Sequence, residues 1–182
     1  MAVELGPAII PRHPGSRVLV RGHALTGTPK GASTLPKTTI FLGSSSAAKS
    51  QAKAIVKALS GPTLKFLPWW ETFTPGRTLL EELDAIRDKV EGALLMFSPE
   101  STTAIRKKKY NVPNLNVLFE FGYFYGHFGK ERVAMLKYGE FYLPSDLGGY
   151  IHISGSKFFK RGAVVAVGKR TTTEFTHWIE QL

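Results

Sequence analysis

With 182 residues, of which 43% are hydrophobic, the chain is long enough for one domain with a sizeable core and some additional sequence. No apolar run approaches the roughly 18 residues of a membrane span, and no apolar signal sequence follows the N-terminus. We therefore expect a cytoplasmic protein that is neither inserted into a membrane nor secreted. The chain has no cysteine, which excludes disulfide bonds and thiolate chemistry.

The net charge of +10 lies mostly at the two ends of the chain. Residues 1–37 hold five Lys or Arg and one Glu, and residues 156–182 hold five and two, which together give +7. A nucleic-acid-binding domain is expected to gather its charge on one folded face among aromatic side chains, so this distribution argues against a nucleic acid partner. The basic run Arg106–Lys109 is more typical of a solvated loop.

The first 37 residues differ in composition from the rest. They contain five prolines and five glycines, and among them Arg17–Arg21 alone has the pattern of a strand. We therefore predict a basic, Pro/Gly-rich N-terminal arm over residues 1–37 and one folded domain over residues 38–182.

From residue 38 onward, short apolar strands alternate with amphipathic helices, which is the pattern of a parallel sheet covered by helices on both faces. The first strand is predicted at Thr38–Leu42 and should end at Gly43, and the second is predicted at Leu64–Leu67. Two helices follow these strands, and the second should begin near Thr74 or Pro75. The apolar faces of the helices are Ala48, Ala52, Ile55 and Leu59, and Leu79, Leu83, Ile86 and Val90, with the acids Glu81, Glu82, Asp84 and Asp88 beside the second face.

The run Ala93–Phe97 is continuously apolar, as a central buried strand should be. After it we predict a polar loop, a helix, a further strand, a short turn and a final helix, with either Tyr150–Ile153 or Ala163–Val167 as the fifth strand. The predicted ranges are 116–127 for the helix, 133–136 for the strand, 144–147 for the turn and 173–182 for the final helix.

The order of these elements also predicts where a ligand should bind. In a doubly wound sheet of order 2-1-3-4-5, the binding crevice lies beyond the carboxyl ends of strands 1 and 3, where the strand order reverses. The segment Gly43–Ser46 follows strand 1, and its hydroxyl groups and free amides suit a phosphate, although serines at a helix start also serve as ordinary caps. Asn116 and Glu120 follow strand 3 and should approach the same crevice.

Glu120 is the most informative residue of this crevice, because it is a lone carboxylate in the apolar and aromatic stretch Asn116–Gly126. Removing an ionised carboxylate from water is unfavourable unless it is paired or hydrogen-bonded. Glu120 is therefore either a core carboxylate with internal hydrogen bonds or a group kept for chemistry, and the residues alone favour neither interpretation.

Several other residues have both a structural and a functional interpretation. Trp69, Trp70 and Phe73 are either ordinary core or the lining of a slot for a flat base. Arg77 either binds a phosphate or pairs with the neighbouring acids, and Asp146 either contributes to the site or caps a turn. Neither His127 nor His152 has a partner at metal-ligand spacing and no Walker loop is present in the sequence, so we expect neither a metal site nor P-loop chemistry.

Read in order, these motifs resemble the TIR (Toll/interleukin-1 receptor-like) domains of bacterial antiphage effectors in CBASS and Pycsar systems, which are predicted nucleotide-binding TIR-like proteins. The resemblance extends over about residues 38–155, and its specificity comes from the order of the motifs. The motifs are the strand with Gly43-Ser-Ser-Ser46, Trp70-Glu-Thr-Phe73-Thr-Pro-Gly76-Arg77, Leu95-Met-Phe-Ser-Pro99, Asn116-Val-Leu-Phe-Glu120-Phe-Gly122, Gly129-Lys-Glu-Arg132 and Leu143-Pro-Ser-Asp146-Leu-Gly-Gly149.

This resemblance implies an α/β, flavodoxin-like TIR fold with a mainly parallel five-stranded sheet of order 2-1-3-4-5. It also implies an NAD glycohydrolase, which cleaves NAD to nicotinamide and ADP-ribose or cyclic ADP-ribose, with NAD as the substrate and neither metal nor cofactor. Glu120 matches the catalytic glutamate of the family. The expected substrate-binding residues are Gly43, Ser44, Ser45, Ser46, Trp70, Phe73, Arg77, Asn116 and Asp146.

The resemblance further implies activation by a cyclic-nucleotide signal that drives assembly into a homo-oligomer or filament. Effectors of this type are commonly fused to a sensor for the nucleotide. The 37 residues at one end and about 27 at the other are too short for such a domain. We therefore expect the sensor or activator to lie outside this chain, and the alternative function is a TIR module that assembles or binds nucleotides without catalysis.

Overall fold

The computed structural model describes residues 37–182. The predicted arm up to residue 36, with the strand candidate Arg17–Arg21, lies outside these residues.

Five of the seven strands in the described part of the chain form one parallel sheet, in the order β2-β1-β3-β6-β7. When only the strands of this sheet are numbered, the order is 2-1-3-4-5, which confirms the predicted fold class. The remaining two strands form an antiparallel hairpin of their own. The strands are β1 (Thr38–Ser44), β2 (Leu64–Pro68), β3 (Gly92–Phe97), β4 (Ser101–Ile105), β5 (Lys108–Val112), β6 (Val133–Lys137) and β7 (Ile151–Ser154).

Helices cover both faces of the sheet. Alternate residues of each strand point to opposite sides, so each strand contributes side chains to the core on both faces. Ile40 and Leu42 of β1 pack in a core with helices α1 and α5, whereas Phe41 packs in a second core with α3 and α4. All six residues of β3 are buried, as the continuous apolar run predicts for a central strand. The helices are α1 (Lys49–Leu59), α2 (Trp69–Thr72), α3 (Leu79–Arg87), α4 (Leu115–Phe128) and α5 (Lys169–Ile179).

The predicted stop at Gly43 is wrong, because β1 continues to Ser44. Gly43 pairs in register with Leu95 of β3, and a Cβ at Gly43 would lie 2.3 Å from the Leu95 Cδ1 atom. This position therefore suits glycine, because the Leu95 side chain leaves no room for a Cβ. Pairing with β3 keeps the strand extended through Gly43.

The predicted start of α3 near Thr74 or Pro75 is also wrong. The helix begins at Leu79, where Thr78 and Glu81 form a reciprocal capping box. The Thr78 Oγ1 accepts a hydrogen bond from the Glu81 amide at 3.3 Å, and the Glu81 Oε2 accepts one from the Thr78 amide at 2.7 Å. Residues 73–77 are thereby left as a loop between α2 and α3.

The predicted polar loop after β3 contains the β4–β5 hairpin. Its turn is made by Arg106 and Lys107, whose φ angles of 47° and 66° are in the left-handed region that usually favours Gly or Asn. Part of the basic run therefore forms a turn, and Lys108 and Lys109 belong to β5.

The fifth strand of the sheet is β7, Ile151–Ser154, which corresponds to the first of the two candidates. The second candidate, Ala163–Val167, is not a strand. Its Val165 amide instead donates to Gln51 Oε1 at 2.7 Å, and its carbonyl accepts from Gln51 Nε2 at 3.0 Å. The final helix begins at Lys169, four residues before its predicted start. Over residues 37–182, no helix is both long and apolar enough to cross a bilayer.

Candidate functional site

A cavity of about 570 Å³ lies where the strand order predicts a crevice. Its lining comes from the end of β1 and the two serines after it, from the start of α2 and the loop between α2 and α3, from the first turn of α3, and from the N-cap and first two turns of α4. We call the α3 side with its preceding loop the α3 wall, and the side formed by α4 and its N-cap the α4 wall. Of the residues predicted from sequence, the cavity brings together Ser44, Ser45, Ser46, Phe73, Arg77, Asn116 and Glu120.

Glu120 is the buried carboxylate of the α4 wall, with 5% of its surface exposed. Among residues 37–182, its Oε2 atom has no hydrogen-bond partner. A Cβ at Gly43 would lie 2.6 Å from this oxygen, so the glycine gives the carboxylate its space against β1. Burial raises the pKa of Glu120 from 4.5 to about 8, because the neutral acid is favoured where water is excluded.

The serines at the end of β1 and directly after it have different environments. Ser45 is the N-cap of the short 3₁₀ helix Ser46–Ala48, and its Oγ accepts from the Ala48 amide at 3.2 Å. Ser44 is buried, and its Oγ accepts a 2.9 Å hydrogen bond from Trp69 Nε1. Capping thus accounts for Ser45, whereas Ser46 lies exposed at the cavity.

The aromatic residues after β2 pack on different faces of the sheet. Trp69 and Phe73 line the cavity, and their ring centroids are 6.1 Å apart. Trp70 is not among the described lining residues and packs instead against the core of the other sheet face. The sequence prediction named Trp70 for the site, and the geometry favours its neighbour Trp69.

The α3 wall holds a second buried carboxylate, Glu82, with 3% of its surface exposed. Its Oε1 accepts a 2.9 Å hydrogen bond from the Thr74 amide and lies 3.6 Å from Arg77 Nε. Sequence reasoning placed Glu82 beside the apolar face, yet its position three residues after Leu79 and four before Ile86 lies within the apolar stripe. That spacing was the signal that could have identified it.

Asn114 is another lining residue that the sequence prediction missed. It is the N-cap of α4, and its Oδ1 accepts from the amides of Asn116 and Val117 at 2.9 and 3.3 Å. Its Nδ2 donates to Glu100 Oε2 at 3.2 Å, which ties the helix start to the segment after β3. An Asn directly before a long apolar helix is a recognisable cap signal.

Asp146 lies in the short 3₁₀ helix Ser145–Leu147, as the predicted turn implies. It is exposed and is not among the described residues that line the cavity. Its contribution to the site stays a prediction. Within residues 37–182, no group of three or more His, Asp or Glu side chains is arranged to hold a metal ion.

Comparison with known proteins agrees with this fold. A family model described as "CAP12/Pycsar effector protein, TIR domain" matches residues 39–157 of the chain. The chain belongs to this family of TIR domains. The match confirms the resemblance inferred from the ordered motifs, and it contains every candidate site residue of the TIR domain, from Gly43 to Asp146.

Individual relatives carry names of the same kind. The TIR domain is 29% identical to CD-NTase-associated protein 12 of Sphingobacterium faecium over 79% of this chain and 44% of the relative. It is 32% identical to CD-NTase-associated protein 12 of a Lachnospiraceae bacterium over 61% of this chain and 35% of the relative. It is 31% identical to the Pycsar effector protein PaPycTIR of Pseudomonas aeruginosa over 60% and 37%, respectively. The chain thus spans less than half the length of these relatives.

Proposed function

We propose that this TIR domain is an NAD glycohydrolase that acts as an antiphage effector. The observation that carries the proposal is the buried Glu120 carboxylate, without a hydrogen-bond partner for Oε2 among the described residues, at a cavity of about 570 Å³. A buried acid with a strongly shifted pKa at a cleft is typical of a catalytic group. Membership of the CAP12/Pycsar effector family supports the role in defence.

The reaction breaks the bond between ribose C1′ and the nicotinamide ring nitrogen. The bonding electron pair leaves with nicotinamide, which becomes neutral, and C1′ becomes part of an oxocarbenium-like ribose. Water then attacks C1′ and loses a proton, which gives ADP-ribose. In this scheme the Glu120 carboxylate accepts hydrogen bonds from the ribose hydroxyls and stabilises the positive charge that develops on the sugar.

The raised pKa of Glu120 fits this role. At neutral pH, burial keeps the carboxyl largely protonated before substrate binds, since its pKa is about 8. The cationic nicotinamide ring of NAD favours the ionised form, so substrate binding would release the proton and produce the carboxylate where positive charge develops. The chemistry is thus coupled to the presence of the substrate.

The remaining lining residues suit the other parts of NAD. Trp69 and Phe73 offer aromatic surface to a flat base, and Arg77 offers a guanidinium to the pyrophosphate. Asn116 supplies a side-chain amide close to Glu120. Binding contributions from Gly43, Trp70 and Asp146 stay predictions.

We further propose that a cyclic-nucleotide signal activates the domain by driving its assembly into homo-oligomers, with the sensor or activator outside this chain. Exposed apolar side chains on α4 support assembly, because Leu115 is 72% exposed and Phe119 is 50% exposed. Both residues follow the Asn114 cap on the helix that carries Glu120, so assembly on this surface would act directly on the α4 wall.

The test is release of nicotinamide from NAD by concentrated full-length chain, with and without candidate cyclic nucleotides. Glu120→Gln keeps the shape of the side chain but removes its ionisation, and we expect it to lower the rate at least about 100-fold. Glu71→Gln is the matched control, because Glu71 is exposed and makes no hydrogen bond or ion pair within residues 37–182. Equal rates for Glu120→Gln and the unmodified protein would refute the catalytic assignment, and binding without turnover would favour the assembly or nucleotide-binding alternative.

A further inference from the structure

We propose that Glu82 is a positioning residue that sets recognition of the pyrophosphate, because it holds Arg77 and the loop before α3 against the cavity. This inference rests on the proposed function, since it assigns the α3 wall to the diphosphate part of the same substrate. It adds a residue that neither the sequence motifs nor the family resemblance identified.

One carboxylate oxygen contacts both ends of the loop. Glu82 Oε1 accepts from the Thr74 amide at 2.9 Å and lies 3.6 Å from Arg77 Nε. The Arg77 amide also donates to the Thr74 carbonyl at 3.4 Å, and between them Gly76 has a φ of 89°, which suits a tight turn. Both ends of the four-residue turn Thr74–Arg77 therefore contact the same buried oxygen, Glu82 Oε1.

The same contacts fix the orientation of Arg77. Its Nη2 donates to the Glu81 carbonyl at 3.0 Å, while Nε faces Glu82. The side chain is 44% exposed, and Nη1 makes no hydrogen bond within the described residues. Because a guanidinium has five N–H donors in a rigid plane, holding one edge leaves the other oriented for phosphate oxygens.

Charge balance gives Glu82 a second effect. Of the cavity-lining residues between 37 and 182, Arg77 alone is positively charged, whereas Glu82 and Glu120 are both acids. A pyrophosphate entering this cavity would be repelled by an unpaired carboxylate on the α3 wall. Contact with the Thr74 amide and Arg77 compensates the Glu82 charge, and Arg77 remains available to the ligand because it is only partly buried.

The experiment measures binding rather than turnover. ADP-ribose, which carries the pyrophosphate, and adenosine, which lacks it, are titrated calorimetrically into full-length Arg77→Ala, Glu82→Gln, the double variant, the Glu71→Gln control and unmodified protein. We expect ADP-ribose affinity to fall roughly 10- to 100-fold for Arg77→Ala and roughly 3- to 10-fold for Glu82→Gln. The double variant should bind no more weakly than Arg77→Ala, because neutralising Glu82 also relieves its repulsion of the pyrophosphate once Arg77 is gone, and adenosine affinity should stay within about twofold throughout.

The outcomes separate this inference from the proposed function. Normal ADP-ribose affinity in Glu82→Gln, losses that multiply in the double variant, or an equal loss of adenosine affinity would each overturn the positioning role. Thermal unfolding of Glu82→Gln shows whether the variant is folded, and Glu82→Asp provides a second folded variant in which the loss should persist, because the shorter side chain cannot reach both contacts. If NAD is not cleaved but this binding pattern holds, Glu82 still positions a nucleotide site; if unmodified protein cleaves NAD but binds no ADP-ribose, the positioning role fails and the proposed function stands.

Discussion

The two walls of the cavity each carry a glutamate that is almost completely buried, yet the two carboxylates have opposite surroundings. Glu82 on the α3 wall receives an amide hydrogen bond and contacts a guanidinium. Glu120 on the α4 wall has an oxygen without a partner in residues 37–182, and burial raises its pKa to about 8. Burial therefore does not distinguish the two acids, whereas the partners of their oxygens do.

The largest effect expected from this difference is on the free energy of unfolding as the pH changes. The folded-state pKa of Glu120, about 8, is above its ordinary value of 4.5. The stabilisation from keeping this acid neutral is fully present below pH 4.5 and is lost as the pH rises through 8. At about 1.36 kcal/mol per pH unit, the 3.5-unit difference is worth up to about 5 kcal/mol. We expect the free energy of unfolding of unmodified protein to fall by that amount relative to Glu120→Gln between pH 4.5 and pH 8.5.

Urea denaturation of both proteins across this pH range measures the effect. Other titrating groups contribute equally to the two curves, so the difference between them isolates Glu120. Glu71→Gln should run parallel to unmodified protein because Glu71 is exposed. A Glu120→Gln curve that is also parallel would mean that water or an unrecognised partner compensates the charge, and the contrast between the walls would disappear.

The same substitution on the α3 wall should have the opposite sign and a smaller size. Glu82→Gln keeps an oxygen that can accept from the Thr74 amide but removes the charge beside Arg77. Because Arg77 is partly exposed and water screens the pair, the loss of unfolding free energy at pH 8 should be about 1 kcal/mol. Chemical denaturation at this pH places the two variants on either side of unmodified protein. A stabilised Glu82→Gln would show that its contacts do not compensate for burial.

The sequence predicted the α4 wall better than the α3 wall for a physical reason. An acid such as Glu120 is conspicuous because the residues around it in the sequence are apolar or aromatic and offer it no polar stripe. Glu82 follows Glu81 and precedes Asp84 in a visibly polar stretch that obscures its place in the apolar stripe, and its contacts depend on the loop that folds over it. Sequence periodicity reports the helix face but not a tertiary contact of that kind.

Two further features depend on tertiary structure that the local sequence does not report. Trp69 and Trp70 are adjacent, and only the short helix α2 decides which ring lies at the cavity. The hairpin turn at Arg106 and Lys107 has no Gly or Asn to mark it, so local turn chemistry could not predict β4 and β5. The parallel sheet was predictable because its inner strands β1, β3 and β6 are largely buried apolar runs, whose pattern survives without knowledge of loops.

The smallest test compares the helix caps of the two walls. Asn114 caps α4 through two amides, and Thr78 caps α3 through the Glu81 amide, so replacing either with Ala should cost about 1 kcal/mol of unfolding free energy. Their effects on nicotinamide release should differ, since Asn114→Ala loosens the first turn of the helix that carries Glu120, whereas Thr78→Ala loosens the wall that carries Arg77. We expect Asn114→Ala to lower mainly kcat and Thr78→Ala to raise mainly KM for NAD. Similar kinetic changes in the two variants, at matched losses of stability, would show that the walls act as one unit rather than as a reactive side and a binding side.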